Sequence, residues 1–165
     1  MNNIDQESRS RLTGILQKEI DTASGRKALE YGSGIFSLAA DLRDRLDYLA
    51  CTDKSTAFLE EFRTEAEKRD IMLIPDGELG EDCYFGRFHL IWTVFGLRGQ
   101  PRLVDEIMKL RRLILKGGKI VIIDFAADDF EAECCKQLKR CGFADLHTES
   151  VEISGESAFM IMAQK

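Results

Sequence analysis

Residues 27–34, Lys-Ala-Leu-Glu-Tyr-Gly-Ser-Gly, decide how the rest of this sequence is interpreted. The first five residues predict a short strand, and this strand runs directly into Gly32 and Gly34. Glycine lets a backbone turn tightly and approach a ligand closely. The segment therefore predicts a strand over residues 27–31 that ends in a tight turn.

Strands and helices alternate on both sides of this segment. Further strands are predicted at residues 48–52, 71–74, 88–95, 119–125, 147–153 and 158–163. Five helices are predicted where apolar residues recur at spacings of three and four. Two of them span residues 4–22 and 55–69. The other three follow the apolar series Ile35, Leu38, Leu42 and Leu46, then Leu103, Ile107, Leu110 and Ile114, and then Phe130, Cys134, Leu138 and Cys141. The pair Gly117-Gly118 is expected to end the fourth of these helices.

This alternation predicts an α/β fold with a Rossmann-like, doubly wound sheet in three αβα layers. We expect seven strands, mostly parallel. The last two strands form an antiparallel C-terminal hairpin, because only a short turn around Gly155 separates them. The chain is interpreted as a single domain over residues 1–165. It consists of an N-terminal helix (1–25) that could act as a lid and a Rossmann-like core (26–165).

Composition narrows the classes of partner and compartment. The chain has 165 residues, 44% of them hydrophobic, and a net charge of −6. An acidic surface repels phosphate backbones, so no nucleic acid partner is expected. The start of the chain carries no apolar signal segment, and the longest apolar run, residues 88–97, is too short to cross a bilayer, so no membrane partner is expected. Five irregularly spaced cysteines indicate free thiols, a cytoplasmic location and no metal site.

Acidic residues follow the predicted strands at the edge where such sheets bind ligands. Asp53 ends the second strand, and its carboxylate can accept both hydrogen bonds of a ribose diol. Asp76 ends the third strand and could accept from an adenine amino group. Taken singly, the glycines could form an ordinary turn and Asp53 could cap a helix. Together they favour a nucleoside-binding site.

Several stretches, taken in order, resemble the motifs of class I S-adenosylmethionine-dependent methyltransferases. Residues 28–34 are similar to the first motif of that family, and Asp53-Lys54-Ser55 to the second, acidic motif. Residues 88–93 lie where the fourth motif is found, and residues 113–122 are similar to the segment before the fifth strand. The resemblance extends over about residues 25–165. It implies a methyl transfer from S-adenosylmethionine to a small-molecule acceptor.

The resemblance also implies which residues bind the cofactor. Glu30, Tyr31 and the backbone of Gly32, Ser33 and Gly34 would lie along its methionine part. Asp53 would hold the ribose, and Lys54 would flank the adenine. Asp76 and Gly77 would meet the adenine edge, and Trp92 and Thr93 would line the pocket beside the sulfonium.

Two residues depart from the family pattern and motivate an alternative function. Phe36 stands where a third glycine is common, and His89 stands where the fourth motif usually begins with an acid. The alternative is a non-catalytic methyltransferase-like module that binds a cofactor or a protein. A third candidate is an NAD-dependent oxidoreductase, because Gly32, Gly34 and Ser37 nearly match Gly-x-Gly-x-x-Gly.

No catalytic residue is assigned from the sequence. Methyl transfer needs a general base only when the acceptor keeps its proton at neutral pH. His89 begins a strand, away from the expected ligand edge, and is interpreted as structural. Because the chain has little length outside the core, the acceptor site is either open or completed by a second copy, and a homodimer remains a candidate state.

Overall fold

The computed structural model describes residues 4–165 as five α-helices and seven strands. The helices are α1 (Gln6–Thr22), α2 (Ala39–Leu42), α3 (Thr56–Lys68), α4 (Leu103–Leu113) and α5 (Phe130–Arg140). The strands are β1 (Lys27–Tyr31), β2 (Tyr48–Thr52), β3 (Met72–Leu73), β4 (Phe88–Val94), β5 (Ile114–Phe125), β6 (Ala144–Ile153) and β7 (Glu156–Gln164). Single 3-10 turns lie at Gly34–Phe36, Arg43–Arg45, Asp76–Glu78 and Asp82–Tyr84.

The seven strands form one sheet with the order β3-β2-β1-β4-β5-β7-β6. The pairs among β1 to β5 are parallel, and β7 pairs antiparallel with both β5 and β6. Ser154 and Gly155 connect β6 to β7, both with positive φ, as a two-residue hairpin turn of type I′ requires. The predicted fold class, including the antiparallel hairpin, is confirmed.

Alternate residues of the central strands face two separate cores. On one face, α1, α2 and α3 pack on residues such as Ala28, Leu49 and Trp92. On the other face, α4 and α5 pack on residues such as Leu29 and Ile91. Both faces of the central parallel strands are therefore buried, as the continuous apolar character of residues 88–95 predicts.

The long helix predicted along Ile35, Leu38, Leu42 and Leu46 is wrong. The chain instead forms a 3-10 turn, the four residues of α2 and a second 3-10 turn. Leu38 and Leu42 are buried, but Ile35 is 56% exposed. The apolar spacing therefore reflects separate contacts with the sheet rather than one continuous helical face.

One further expectation is wrong. Gly117 and Gly118 lie inside β5, and α4 already ends at Leu113. A Cβ at Gly118 would be 2.9 Å from the carbonyl oxygen of His89, so glycine is needed for the close approach of β5 to β4.

The N-terminal helix α1 packs in the layer on the sheet and buries Leu12 and Leu16 completely, and the lid over residues 1–25 stays a prediction. Residues 1–3 of that segment lie outside the described residues.

Across residues 4–165, no helix combines the length and the apolar character that crossing a bilayer requires.

Candidate functional site

The glycine turn lies at the carboxyl end of β1, in the centre of the sheet. Gly32 and Gly34 have φ of +67° and +49°, a region that L side chains rarely adopt. The N–H of Gly32 donates to the carbonyl of Thr52 (2.8 Å). Ser33 is buried, and its hydroxyl accepts from the N–H of Val94 (3.2 Å). These bonds fix the turn between the ends of β2 and β4.

Asp53 lies directly beside this turn. Its Oδ2 accepts from the N–H of Gly34 (3.0 Å), and its Oδ1 accepts from the N–H of Ser55 (2.7 Å). The side chain is only half-buried. Because a carboxylate can accept about four hydrogen bonds, both oxygens retain capacity for the two hydroxyls of a ribose.

Two other predicted cofactor contacts belong to the core in this structure. Glu30 and Trp92 are completely buried. Glu30 accepts from the indole Nε1 of Trp92 (2.8 Å), the N–H of Leu38 (2.8 Å) and the hydroxyl of Ser37. Together the two side chains hold the segment after the turn against β1 and β4. Burial raises the pKa of the Glu30 carboxyl, and its hydrogen bonds partly oppose that shift.

Two threonine hydroxyls that flank the end of β1 are buried without a hydrogen-bond partner, which is unusual for a polar group. Thr52 and Thr93 are fully buried, and neither hydroxyl has a hydrogen-bond partner within residues 4–165. Nearby, the backbone of Gly96 packs against the turn, 3.3 Å from where a Cβ of Gly32 would be. Unpaired buried hydroxyls at this point are polar atoms that a ligand or a water could satisfy.

A charged network from α4 joins three other predicted contacts. Glu106 accepts from Lys54 (2.7 Å) and from the phenol of Tyr31. Lys109 pairs with Asp76 (2.5 Å) and lies 3.4 Å from the Tyr31 oxygen. We refer to Tyr31, Lys54, Asp76, Glu106 and Lys109 as the α4 network. It joins α4 to the loops after β2 and β3 at the carboxyl edge of the sheet.

The α4 network determines the electrostatics of its members. Burial opposes ionisation of Glu106, but hydrogen bonds from Lys54 and Tyr31 and the charge of Lys109 outweigh it and lower the pKa of its carboxyl. Burial, followed by the bond to Glu106, raises the pKa of the Tyr31 phenol. The Tyr31 phenol therefore stays protonated and acts as a hydrogen-bond donor.

Sequence reasoning did not identify Glu106 and Lys109. They lie about one turn apart on the polar face of α4, so the helical spacing in the sequence already places them on one face. The same pattern does not say that this face reaches the loops after β2 and β3. Gly77, the remaining predicted contact, is exposed in the 3-10 turn that follows β3.

Phe36 belongs to an aromatic group at the same edge of the sheet. Its ring lies edge-on to Phe95 (4.9 Å between centroids), and Phe95 stacks on Phe125 (4.3 Å). The three rings border a hollow of about 350 Å³, and Arg98 and Asp124 complete its lining. Phe36 therefore forms a wall beside the glycine turn.

His89 lies at the opposite end of the sheet from these residues. Its imidazole ring lies at the amino end of β4, packed so closely on Gly25 that a Cβ there would clash with the ring. This position agrees with the structural interpretation of His89.

The chain has the Rossmann-like fold of solved methyltransferase structures, with the glycine turn after β1 and the acid after β2 at the carboxyl edge of its sheet. No protein-family model and no curated protein sequence matches the chain. Solved structures do match. YcgJ from Bacillus subtilis has a TM-score of 0.78 at 10% identity, over 94% of this chain and 98% of that chain. A SAM-dependent methyltransferase from Aquifex aeolicus has a TM-score of 0.72 at 14% identity, over 96% and 97%.

The cyclase SpnF also matches, with a TM-score of 0.78 at 13% identity over 94% of this chain and 80% of that chain. Similarity at such low identity is a similarity of fold. It confirms the family resemblance at that level. A methyltransferase and a cyclase share this fold, so the reaction has to be argued from the site.

Proposed function

We propose that the chain is an S-adenosylmethionine-dependent methyltransferase that acts on a small-molecule acceptor. The observation that carries the proposal is the position of Asp53. Its half-buried carboxylate is bonded to the N–H of Gly34 at the carboxyl edge of the sheet. This is the edge where open α/β sheets bind ligands, and the acid has hydrogen-bonding capacity left for a ribose.

Asp53 suits the ribose part of the cofactor, because its two oxygens accept only two backbone hydrogen bonds and keep capacity for more. Asp53 would accept from the ribose hydroxyls, and the backbone from Gly32 to Gly34 would lie along the methionine part. Asp76 and Lys54 would meet the adenine, provided that they exchange some of their contacts with Lys109 and Glu106. The buried hydroxyls of Thr52 and Thr93 are further donors at the same edge.

The bound cofactor supplies an electrophilic methyl carbon on a positively charged sulfur, and the sulfur keeps the electron pair of the carbon–sulfur bond when the methyl group leaves. The task of the chain is to hold the reacting atoms in line and to exclude water. No side chain is assigned as a general base, because the need for one depends on the acceptor.

Calorimetric titration with S-adenosylhomocysteine tests the proposal, with NAD as the control ligand. We expect micromolar binding of S-adenosylhomocysteine and none of NAD. Asp53→Ala should weaken binding by roughly one to two decades, because charge-assisted hydrogen bonds contribute roughly 1.5–3 kcal/mol. Asp82→Ala, which changes an exposed acid in the loop after β3, is the matched control and should bind as wild type does.

A melting curve close to that of the wild type must accompany the Asp53→Ala result, because Asp53 also accepts from the backbone of the following helix. Unchanged affinity in this folded variant would mean that the acid does not hold the ribose.

One observation favours a second candidate, the non-catalytic module. Lys54 and Asp76 already have charged partners in the α4 network, so a cofactor has to compete with Glu106 and Lys109 for them. A folded protein that binds neither S-adenosylhomocysteine nor NAD would support this module. The NAD-dependent oxidoreductase has less support, because a dinucleotide diphosphate needs a helix N-terminus after the glycine turn, and a 3-10 turn stands there.

A further inference from the structure

We propose that the hollow between Phe36, Phe95 and Phe125 binds a small, uncharged, monocyclic aromatic compound and is the acceptor site of the proposed methyltransferase. Its role as acceptor site rests on the proposed function. The binding of an aromatic compound does not, and it can be measured without any cofactor.

The walls of the hollow favour a flat apolar ligand. Phe36, Phe95 and Phe125 are all half-buried, so each ring keeps part of its surface open at the edge of the sheet. Phe95 adopts a φ of +59°, which is unusual for a bulky residue, and its N–H donates to the carbonyl of Ile123 (2.9 Å). The backbone therefore holds this ring between the other two. Aromatic ligands gain offset-stacked and edge-to-face contacts with such rings.

An ion pair in the lining of the hollow favours a ligand without a net charge. Arg98 pairs with Asp124 through Nε and Oδ1 (3.0 Å), and it also donates to the carbonyl of Phe125 (2.5 Å). Asp124 is only 1% exposed, so the two charges neutralise each other within the lining. The pair therefore supplies no net charge to balance that of a ligand, and a charged ligand would lose hydration against the apolar walls.

The size and the position of the hollow fit a single ring next to the proposed cofactor. Its volume of about 350 Å³ is at the lower end of the range for small-molecule sites, which is about 300–1,000 Å³. Phe36 follows the glycine turn closely in the chain, and Phe95 precedes Gly96, which packs on Gly32. A ligand in the hollow is thus adjacent to the segment assigned to the methionine part of the cofactor.

With a phenol as acceptor, the transfer is balanced without a further reagent. The phenol oxygen forms a bond to the methyl carbon, the carbon–sulfur bond breaks, and its electron pair remains on sulfur. Because a phenol keeps its proton at neutral pH, this transfer needs a base, and a water molecule at the open side of the hollow takes the phenolic proton.

The test is a titration of the 165-residue chain with phenol in the absence of cofactor, monitored by ¹H–¹⁵N correlation spectra. We expect saturable shifts centred on the amides of Phe36, Phe95 and Phe125. Benzoate and benzylammonium, which add a charge to the same ring, should bind about tenfold more weakly. Equal binding of the charged probes, or shifts away from these amides, would overturn the proposal.

Phe36→Leu and Phe62→Leu form a matched pair of variants. Phe62 is a half-buried ring that stacks on Phe58 in α3, outside the hollow. Phe36→Leu should weaken phenol binding about threefold or more, because an aromatic contact contributes roughly 0.5–1.5 kcal/mol beyond its area. Phe62→Leu should leave it unchanged. Well-dispersed spectra of both variants show that they fold, and equal phenol affinity in the two would contradict the site.

The calorimetry with S-adenosylhomocysteine separates this inference from the proposed function. If the protein binds phenol but not S-adenosylhomocysteine, the hollow is an aromatic binding site but not the acceptor site of a methyltransferase. S-adenosylhomocysteine binding without phenol binding would support the cofactor and overturn the hollow as its acceptor site.

Discussion

Glu30 shows how a single residue can match a family motif and still serve the core. Its carboxylate receives hydrogen bonds from β4 and from the segment after the glycine turn, through Trp92, Ser37 and Leu38. It is completely buried, and burial raises the pKa of its carboxyl above the ordinary value of 4.5. The ionised form is therefore less favourable in the folded protein than in the unfolded chain.

The direction of this shift predicts how stability depends on pH. Above the ordinary carboxyl pKa, the folded state binds more protons at Glu30 than the unfolded state does, so its contribution falls as pH rises towards the folded pKa. Glu30→Gln keeps the shape and removes the ionisation. We expect the free energy of unfolding of the wild type to fall relative to that of Glu30→Gln as the pH rises above the ordinary carboxyl pKa of 4.5.

Urea unfolding of both proteins across this range measures the difference. Glu30→Ala serves as the structural control: it leaves the N–H groups of Trp92 and Leu38 without their acceptor and should destabilise at every pH, by about 1–3 kcal/mol for each unpaired group. A constant difference between wild type and Glu30→Gln would contradict the assigned shift.

The residues of the site differ in how far the sequence can predict them. Gly34 and Asp53 follow successive parallel strands, so their approach follows from the sheet alone, and the two are joined by a hydrogen bond. Glu106 and Lys109 come from a helix whose tilt and rotation depend on all of its packing contacts. Which loops their side chains reach is a tertiary property, and no local pattern contains it.

At the scale of elements, the α4 network connects α4 to the loops after β2 and β3. Lys109 and Asp76 are each about three-quarters buried in their pair, with 25% and 24% exposure. Lys109→Met removes the pair and keeps the apolar stem. If Asp76 meets adenine only after it leaves Lys109, this variant should bind S-adenosylhomocysteine several-fold more tightly in the same calorimetric assay.

Lys136→Met on α5 is the control for this variant, because Lys136 pairs with Glu133 on an exposed helical face. It should not change the affinity. A loss of affinity in Lys109→Met would instead mean that Lys109 contacts the ligand directly.

The contact between the loop after β4 and the glycine turn gives another prediction for these elements. A Cβ at Gly96 would lie 2.6 Å from the carbonyl oxygen of Tyr31 and 2.8 Å from that of Gly32. Both are backbone atoms, so the loop itself must move. Gly96→Ala should destabilise the protein by about 1–3 kcal/mol or more.

Gly80→Ala is the matched control, because no atom lies within 4 Å of the Cβ that it would add. Thermal melting of the two variants measures the effect. Equal melting temperatures would mean that the loop after β4 and the turn do not pack as described.

Element prediction failed where one pattern allowed two structures. Ile35, Leu38 and Leu42 have helical spacing, yet a 3-10 turn and a short helix bury Leu38 and Leu42 as well and leave Ile35 exposed. Gly117-Gly118 is typical of a helix end, yet it also suits a strand that must approach its neighbour closely. In both places the contact with the sheet, rather than the local preference, decides the structure.

At the scale of the whole molecule, the sequence predicts the sheet well, because its strands are buried on both faces and read as continuous apolar runs. It predicts the role of α1 poorly. The amphipathic pattern of residues 4–22 shows that one face needs covering, but it does not distinguish a lid over the ligand edge from a layer on the sheet. The structure places α1 in the layer.

This position predicts the outcome of removing the first 25 residues. Leu12, Leu16 and Ile20 are at most 2% exposed, so the deletion uncovers part of the core beneath α1. Burial of each such side chain contributes about 1.5–3 kcal/mol, and the three together approach the whole stability of a typical domain, about 5–15 kcal/mol. We expect the truncated protein to lose its cooperative melting transition by circular dichroism, and with it any ligand binding.

Gly14→Ala changes the same helix but should raise the stability of the protein instead of lowering it. Gly14 lies in the middle of α1, and its added Cβ would meet no atom within 4 Å. Alanine should therefore stabilise the protein by about 0.5–1 kcal/mol, because glycine is the poorer helix former. If α1 is part of the cooperative core, its stability is part of the global stability, so this gain raises the melting temperature of the whole molecule. Two results together would contradict this: the truncated protein melts cooperatively and still binds S-adenosylhomocysteine, and Gly14→Ala leaves the melting temperature unchanged. They would mean that α1 can detach from the core and would support its role as a lid.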